Sequence, residues 1–476
     1  MPPAELELGV VVGESHLDAV AMDPRGRLHA KVKAIRLTPD FRTALGATMR
    51  AVITNGSLDP RRIGRVMLVT HRRGGRFAGP NLNRVGVVRI GAPLTRALPP
   101  LTGWPAELRT RVSVGQAVVR GGAEYDGRPA AALDEDEIAR FLGEVAGEAE
   151  SIAITSVFSP AAPEQELAAA EIVRRELGTS TQVSLSHEIG GVGLLERENA
   201  TVLNGALFGT AKEAAADIHE ALESERIDAE PFVTQNDGTL MTLQHALRFP
   251  VLTIGNGPAS AIRGAAYLSG VEDGLVVEVG GSRTDVGALV RGFPRESARP
   301  ARIEGVRVAF AMPTVRTLSF GGDSLVDLGA EGRREALRQA REALADSVDR
   351  TRAELESPPL VAIGDADALV PDDLPGVSEV IRPPDRDVAR AIGAAMAPVS
   401  GQAECICSNH PGKREAALDK VRAAACAQAA YAGADPAAVT VVRVEEQPLT
   451  YLPDPAIWIR VKAVGPGFRP PLRPRA

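Results

Sequence analysis

The stretch VEVGGSRTD, from Val277 to Asp285, sets an acid, a glycine pair, a hydroxyl and a second acid on one short run. A buried strand that ends in a tight glycine turn exposes successive backbone N–H groups, and such a nest suits phosphate. Ser282 can add a hydrogen bond, and an acid ahead of the glycines can hold Mg²⁺ or a water for attack on a phosphate. The chain carries this stretch twice. VVVGESHLD, from Val10 to Asp18, matches it at constant offset through Val10/Val277, Val12/Val279, Gly13/Gly280, Ser15/Ser282 and Asp18/Asp285. One copy alone reads as a hairpin with a glycine turn. Two copies point to a duplicated fold unit, with two hairpins facing each other across a cleft and gripping one nucleotide.

The elements around these hairpins alternate between strand-like and helix-like runs, which predicts an α/β protein. LELGVVVG, LDAVAMD and HAKVKAIRL read as strands. TPDFRTALGATMRAVITNG reads as a helix with Thr38 or Asp40 at its N-cap and Gly56 at its end. RVMLVTH, RVGVVRIG, SIAITSVF and TQVSLSHEIG read as further strands, interleaved with helices at DEDEIARFLGEVAGEA and APEQELAAAEIVRREL. The expected division is a lobe at 1–185, a second unit at 186–468 holding the second hairpin, and a disordered tail at 469–476. In the second unit LLERENATVLNGALFGTAKEAAADIHEALES is a long helix. TIGNGPASAIRGAAYLSG is a loop opening into a helix, whose Gly257 offers an anion site at a helix N-terminus.

Bulk properties exclude several classes. At 476 residues the chain can hold more than one core. A net charge of −7 and aromatics at 4% argue against nucleic acid as the main partner. No apolar run reaches membrane-span length, and the opening MPPAELELGVVVG has no signal-peptide pattern. With 3 cysteines there is no disulfide framework, so a cytoplasmic location is expected. Cys405, Cys407 and His410 read as a strand with small buried side chains rather than a metal site, since a fourth ligand is lacking. There is no GxSxG elbow or metal-protease motif.

Taken in order, the motifs resemble those of the hydantoinase A/oxoprolinase family, over nearly the whole chain. Gly9 to Asp18 is similar to that family's G-I-D-x-G-G-T-x-T-D, and Glu278 to Asp285 to its D-x-G-G-T-S-T-D. SLSHEIG, ERENATVLNGAL, QNDGTLM, GNGPASA and FAMPTVRTLSFGGDS continue the likeness. The resemblance implies two duplicated α/β lobes around an interlobe cleft, as in actin, hexokinase and heat-shock chaperones, with ATP and Mg²⁺ between them. It implies ATP-dependent opening of a small cyclic amide such as a hydantoin, lactam or oxoproline. It also implies a second hydantoinase-type subunit and a homo-oligomer. On this basis Glu278 and Asp285 are acid, base or Mg²⁺ ligands, with Asp18 and His71 completing the catalytic set. Gly13, Ser15, Gly280, Gly281, Ser282, Gly257, Gly321, Gly322 and Gly364 form the nucleotide loops.

The departures from that pattern fall on the same loops. Val11 stands where the family has its first acid, and Glu14 replaces a glycine. Asp323, Asp365 and Ala366 replace others, and LVTHRRGG keeps only Thr70 and His71 of its motif. Carboxylates where a polyphosphate should lie repel it. Three readings follow: a ring-opening amidohydrolase with altered ATP handling, a catalytically degenerate pseudoenzyme subunit, or a cleft repurposed for another anion. The last is motivated by Arg72, Arg73 and Arg283, which can otherwise pair with the new acids. His187–Glu188 and Glu196–Arg197 read either as cleft lining or as a buried ion pair and cap seating the long helix.

Overall fold

The computed structural model describes residues 6–13, 15–70, 81–297, 300–325, 330–352, 356–450 and 455–467. Glu14, His71, Arg72, Arg73 and the tail at 469–476 lie outside the described residues. The fold is α/β, as expected, and its two hairpins sit in two different sheets.

The first hairpin joins Leu6–Val12 to His16–Met22. Every residue of Leu6–Val12 is buried, Glu7 included through its pair with Arg65, the pattern of a sheet covered on both sides. It pairs in parallel with Ile63–Thr70 and belongs to a nine-stranded sheet. That sheet also takes Leu28–Ile35, Glu230–Thr234, Leu240–Thr242, Val399–Ser408, Thr440–Leu449 and Ala456–Gly465. The expected segments 1–185 and 186–468 therefore both contribute strands to it.

The second hairpin joins Gly274–Val279 to Thr284–Val290 and pairs in parallel with Leu360–Gly364. The register repeats the first hairpin: Val11 faces Asp18 in one, and Glu278 faces Asp285 in the other. The duplication read from five matched positions is thus a duplication of backbone pairing. A separate four-stranded parallel sheet is built from Ser113–Arg120, Val85–Ala92, Ser151–Ser156 and Gln182–Leu185. Helices Glu135–Val145 and Glu164–Leu177 pack on it. Asp40 caps the helix Phe41–Asn55, accepting from Thr43 N–H at 2.8 Å, as the sequence suggests. The run TQVSLSHEIG corrects one expectation: its strand stops at Leu185, and Ser186–Ile189 is a helical turn. Buried Glu166 draws Ser186 and the His187 backbone toward itself there.

Behind the hairpins two short helices cross, Asn256–Ser269 and Ala389–Ala395. They meet backbone to backbone: a Cβ at Gly264 would lie 1.8 Å from the Ala389 carbonyl oxygen. The small residues of these helices let the two sheets approach closely enough to share one cleft. The long helix Leu194–Ser224 is seated by Arg197, fully buried, which donates to Ser186 Oγ at 3.0 Å and to the Ser156 carbonyl at 2.7 Å. Beside it, Arg89 and Glu198 form a bidentate pair at 2.6 and 2.7 Å. Among the described residues no helix is long and apolar enough to cross a membrane.

Candidate functional site

The two hairpin turns converge on one cavity. Its walls include Gly13, Ser15, Asp18, Glu278, Gly280, Gly281, Ser282 and Gly364. The structure thus brings these eight residues chosen from the sequence together around one space. Gly321 and Gly322 reach the same turn from the neighbouring loop, where Gly322 N–H donates to the Gly280 carbonyl at 3.0 Å. Gly364 sits at φ +98°, a conformation that favours glycine. Gly257 stands behind, with Arg390 as its nearest neighbour. Asp285 is buried next to this group, and His71 lies outside the described residues.

Three cations that sequence reasoning missed, Lys33, Arg386 and Arg390, also line the cavity, and two of them bridge to its acids. Lys33, on Leu28–Ile35, has Nζ 3.1 Å from Asp18 Oδ1 and 2.8 Å from Asp365 Oδ1, so it ties the first hairpin to a loop beside the second. Arg390 donates to Glu278 Oε2 at 2.6 Å. Neither is near its partner in sequence, so no local pattern could reveal them. Asp285 accepts from Thr317 Oγ1 at 2.5 Å and has Arg283 Nε at 3.4 Å. Arg283, proposed as an anion anchor, is therefore engaged with an acid.

Electrostatics follow from this packing. Burial pushes the Asp18 carboxyl above the ordinary range, against the opposing charge of Lys33. Burial pushes Asp285 up as well, opposed by Arg283 and reinforced by Glu278. The Lys33 ammonium is desolvated, but Asp18 and Asp365 outweigh that and raise it. Arg390 is likewise raised, because Glu278, Asp18 and Asp285 outweigh its burial.

This arrangement does not fit the phosphate chain of MgATP as it stands. The enclosed part of the cleft measures about 100 Å³ and opens past His16, Lys33, Gly281 and Asp365 onto an exposed groove of about 440 Å³, so Lys33 and Asp365 stand between the turns and the open space. One amide of each turn is spent inside its hairpin: Gly13 N–H donates to the His16 carbonyl and Gly280 N–H to the Arg283 carbonyl, both at 3.0 Å. Asp323 crowds Gly281, with a carboxylate oxygen 2.4 Å from where a Cβ would lie. Glu278 and Asp285, the expected metal ligands, each hold a protein partner, Arg390 for the one and Thr317 and Arg283 for the other. Ser282 is exposed at the rim.

A larger cavity, about 500 Å³, lies elsewhere and shares no lining residue with the first. His187, Glu188 and the QNDG turn line it. His187 Nδ1 lies 2.7 Å from Oε2 of Glu166, which is completely buried and also accepts from Ser156 N–H at 2.7 Å. Arg197 seats the long helix, while His187 and Glu188 line this second cavity and not the cleft between the hairpins.

Two family models match the chain, "Hydantoinase/oxoprolinase N-terminal region" over residues 7–177 and "Hydantoinase/oxoprolinase" over residues 197–347. No curated protein matches it. Among solved structures it is similar to an ATP-dependent caprolactamase from Pseudomonas jessenii, with TM-score 0.74 and 16% identity over 99% of this chain and 89% of that one. It is also similar to a nucleotide-free acetone carboxylase, described as carboxylating acetone in an ATP-dependent way. There the TM-score is 0.67 with 16% identity, over 99% of this chain and 90% of that chain. At such identities the likeness is one of fold.

Proposed function

This chain belongs to the hydantoinase/oxoprolinase family, and from that premise we propose that it opens the C–N bond of a cyclic amide of the hydantoin, lactam or oxoproline type. The observation that carries this reading is the pair of family models in chain order, joined to end-to-end similarity with an enzyme that opens caprolactam under ATP. We also propose that its hairpin cleft is held shut by internal ion pairs, so that MgATP is not an ordinary ligand there. The Arg390–Glu278 pair and the Lys33 bridge to Asp18 and Asp365 support that part. An incoming phosphate would have to displace carboxylates already matched to both cations, at an energetic cost that a pre-formed anion site lacks.

A second reading is a catalytically degenerate subunit serving a hydantoinase-type partner. Val11, where the family has an acid, and Glu278, committed to Arg390, favour it. Calorimetry with MgATP on the purified protein, beside a ring-opening assay with and without ATP, separates the readings. Micromolar MgATP binding to the wild type would contradict the closed cleft. No ring opening under any condition moves the weight to the degenerate subunit. Self-association and the second subunit are then tested by light scattering and by co-purification with a candidate partner chain.

A further inference from the structure

The larger cavity differs in chemistry from the hairpin cleft. Most of its charged groups have a partner of opposite sign: Asp237 with Lys462 at 2.7 Å, Glu188 with Arg248, and Arg460 with Glu296 at 3.1 Å. Glu404, also in the wall, accepts from the Gly191 N–H instead, and burial pushes its carboxyl up. Much of the remaining lining is neutral. Phe310, Phe249 and Leu252 give it apolar walls, and Gln402 adds an amide. His245, also in the wall, has a buried Nδ1 without a hydrogen bond. Burial, aided by the charge of Arg248, depresses its pKa to about 4, so it is uncharged at neutral pH. A mixed apolar and polar lining of about 500 Å³ whose two arginines are already held by carboxylates suits an uncharged, hydrogen-bonding small ring.

One wall residue has the geometry of a proton acceptor. His187 lies with Nδ1 2.7 Å from Glu166 Oε2, and its Nε2 makes no hydrogen bond to a described residue. Glu166 is fixed in turn: it accepts from Ser156 N–H, Ser186 Oγ and the His187 backbone N–H. Burial pushes the Glu166 carboxyl up, but His187, Ser186 and Arg197 outweigh burial and hold it below its ordinary range. An ionised carboxylate on Nδ1–H fixes the tautomer with Nε2 bare, the state of a general base.

Resting on the ring-opening reading above, we propose that this cavity binds the uncharged cyclic amide and that His187, oriented by Glu166, takes the proton from the attacking water. The water oxygen forms the new bond to the ring carbonyl carbon as its proton passes to Nε2. The same proton then moves to the ring nitrogen as the C–N bond breaks, so water is added across the amide with nothing oxidised or reduced. His187 is the catalytic residue of this step and Glu166 a positioning residue.

The test uses the full chain with hydantoin and 2-piperidone as uncharged rings and 5-oxoproline as a charged one. Binding is read by ligand-observed NMR and opening by chromatography, for wild type, His187→Gln and Ala311→Trp. Ala311 lies on a loop in the cavity wall, so tryptophan there fills the space without breaking a helix or strand. Ala311→Trp is expected to abolish binding of both neutral rings. His187→Gln is expected to keep KM and lower kcat by ~10²–10⁴-fold, the range of general-base catalysis. 5-Oxoproline is expected to bind roughly tenfold more weakly, because its carboxylate must be desolvated beside cations already paired. Ring opening by the wild type that neither substitution changes overturns this site and leaves the ring-opening reading standing. Ring binding lost in Ala311→Trp, with no opening by the wild type, upholds the site and overturns the ring-opening reading together with the part given to His187. A wild type that neither binds nor opens any ring overturns both.

Discussion

The hairpin cleft and the His187 cavity dispose of charge in opposite ways. In the cleft, ion pairs run through the space a ligand would need: Arg390 to Glu278, and Lys33 to Asp18 and Asp365. In the cavity, Asp237 and both arginines are paired, Glu404 is held by a backbone N–H, and apolar and amide groups make up much of the lining. The cleft holds the residues that the duplication singles out, yet its acids and cations are matched to one another. Charged groups of the right type mark a site only when their partners are not each other.

The largest effect expected from breaking this contrast is at Glu278. Arg390 is enclosed and its Nε already lacks a hydrogen bond, so Glu278→Val leaves a buried guanidinium without its carboxylate. Breaking a buried pair costs about 3–5 kcal/mol. Urea denaturation should show that loss, and Glu278→Val/Arg390→Leu should recover most of it, since a well-packed apolar replacement is often neutral. If the single variant is as stable as the wild type, the ion pair is not what holds the cleft shut.

In the cavity the matching test is acid. His245 carries a proton below pH 6.5 when unfolded but only below about 4 when folded. Between those values the unfolded state binds more protons, so stability is full above pH 6.5 and falls as pH drops toward 4. The loss approaches about 3 kcal/mol over that window. Melting curves of wild type and His245→Gln across it should converge at low pH; parallel curves would show that His245 is not held neutral.

What the sequence revealed, and what it hid, follows the same division. Asp18, Glu278, Asp285 and the turn glycines were legible because duplication kept their spacing, and hairpin register carries spacing directly into space. Lys33 and Arg390 were not, because they enter from a third strand and from a short helix whose positions depend on sheet packing. Glu166 was hidden for a related reason. It sits in the first turn of a helix, where an acid is unremarkable, and only the crossover of the four-stranded sheet sets it under His187. The paired hairpins could be seen in sequence, but the neutralisation of the cleft between them could not.

The hairpins themselves invite a smaller test. Val11 occupies the position that Glu278 holds in the other hairpin, directly across from Asp18. Val11→Glu would set two acids opposite each other at a site 1% exposed. A loss of about 2 kcal/mol in urea denaturation is expected, within the usual range for burying a poorly paired charge. Undiminished stability would show that Lys33 or Arg390 can serve both hairpins.

The smallest effect is expected at Lys33, for a reason that depends on pH. Lys33→Met removes the cation from Asp18, whose carboxyl burial already pushes up from 3.8. The variant need not keep a naked charge, because Asp18 can take up a proton at modest cost. Its folded pKa then stands further above the unfolded value. A raised carboxyl is a penalty when ionised, and that penalty lifts as pH falls toward the folded pKa. Lys33→Met should therefore lose about 1 kcal/mol at neutral pH. The gap from wild type should narrow on acidification, measured by urea midpoints from pH 7 down to the carboxylate range. A gap that does not narrow would show that the loss in Lys33→Met does not come from pairing with a carboxylate.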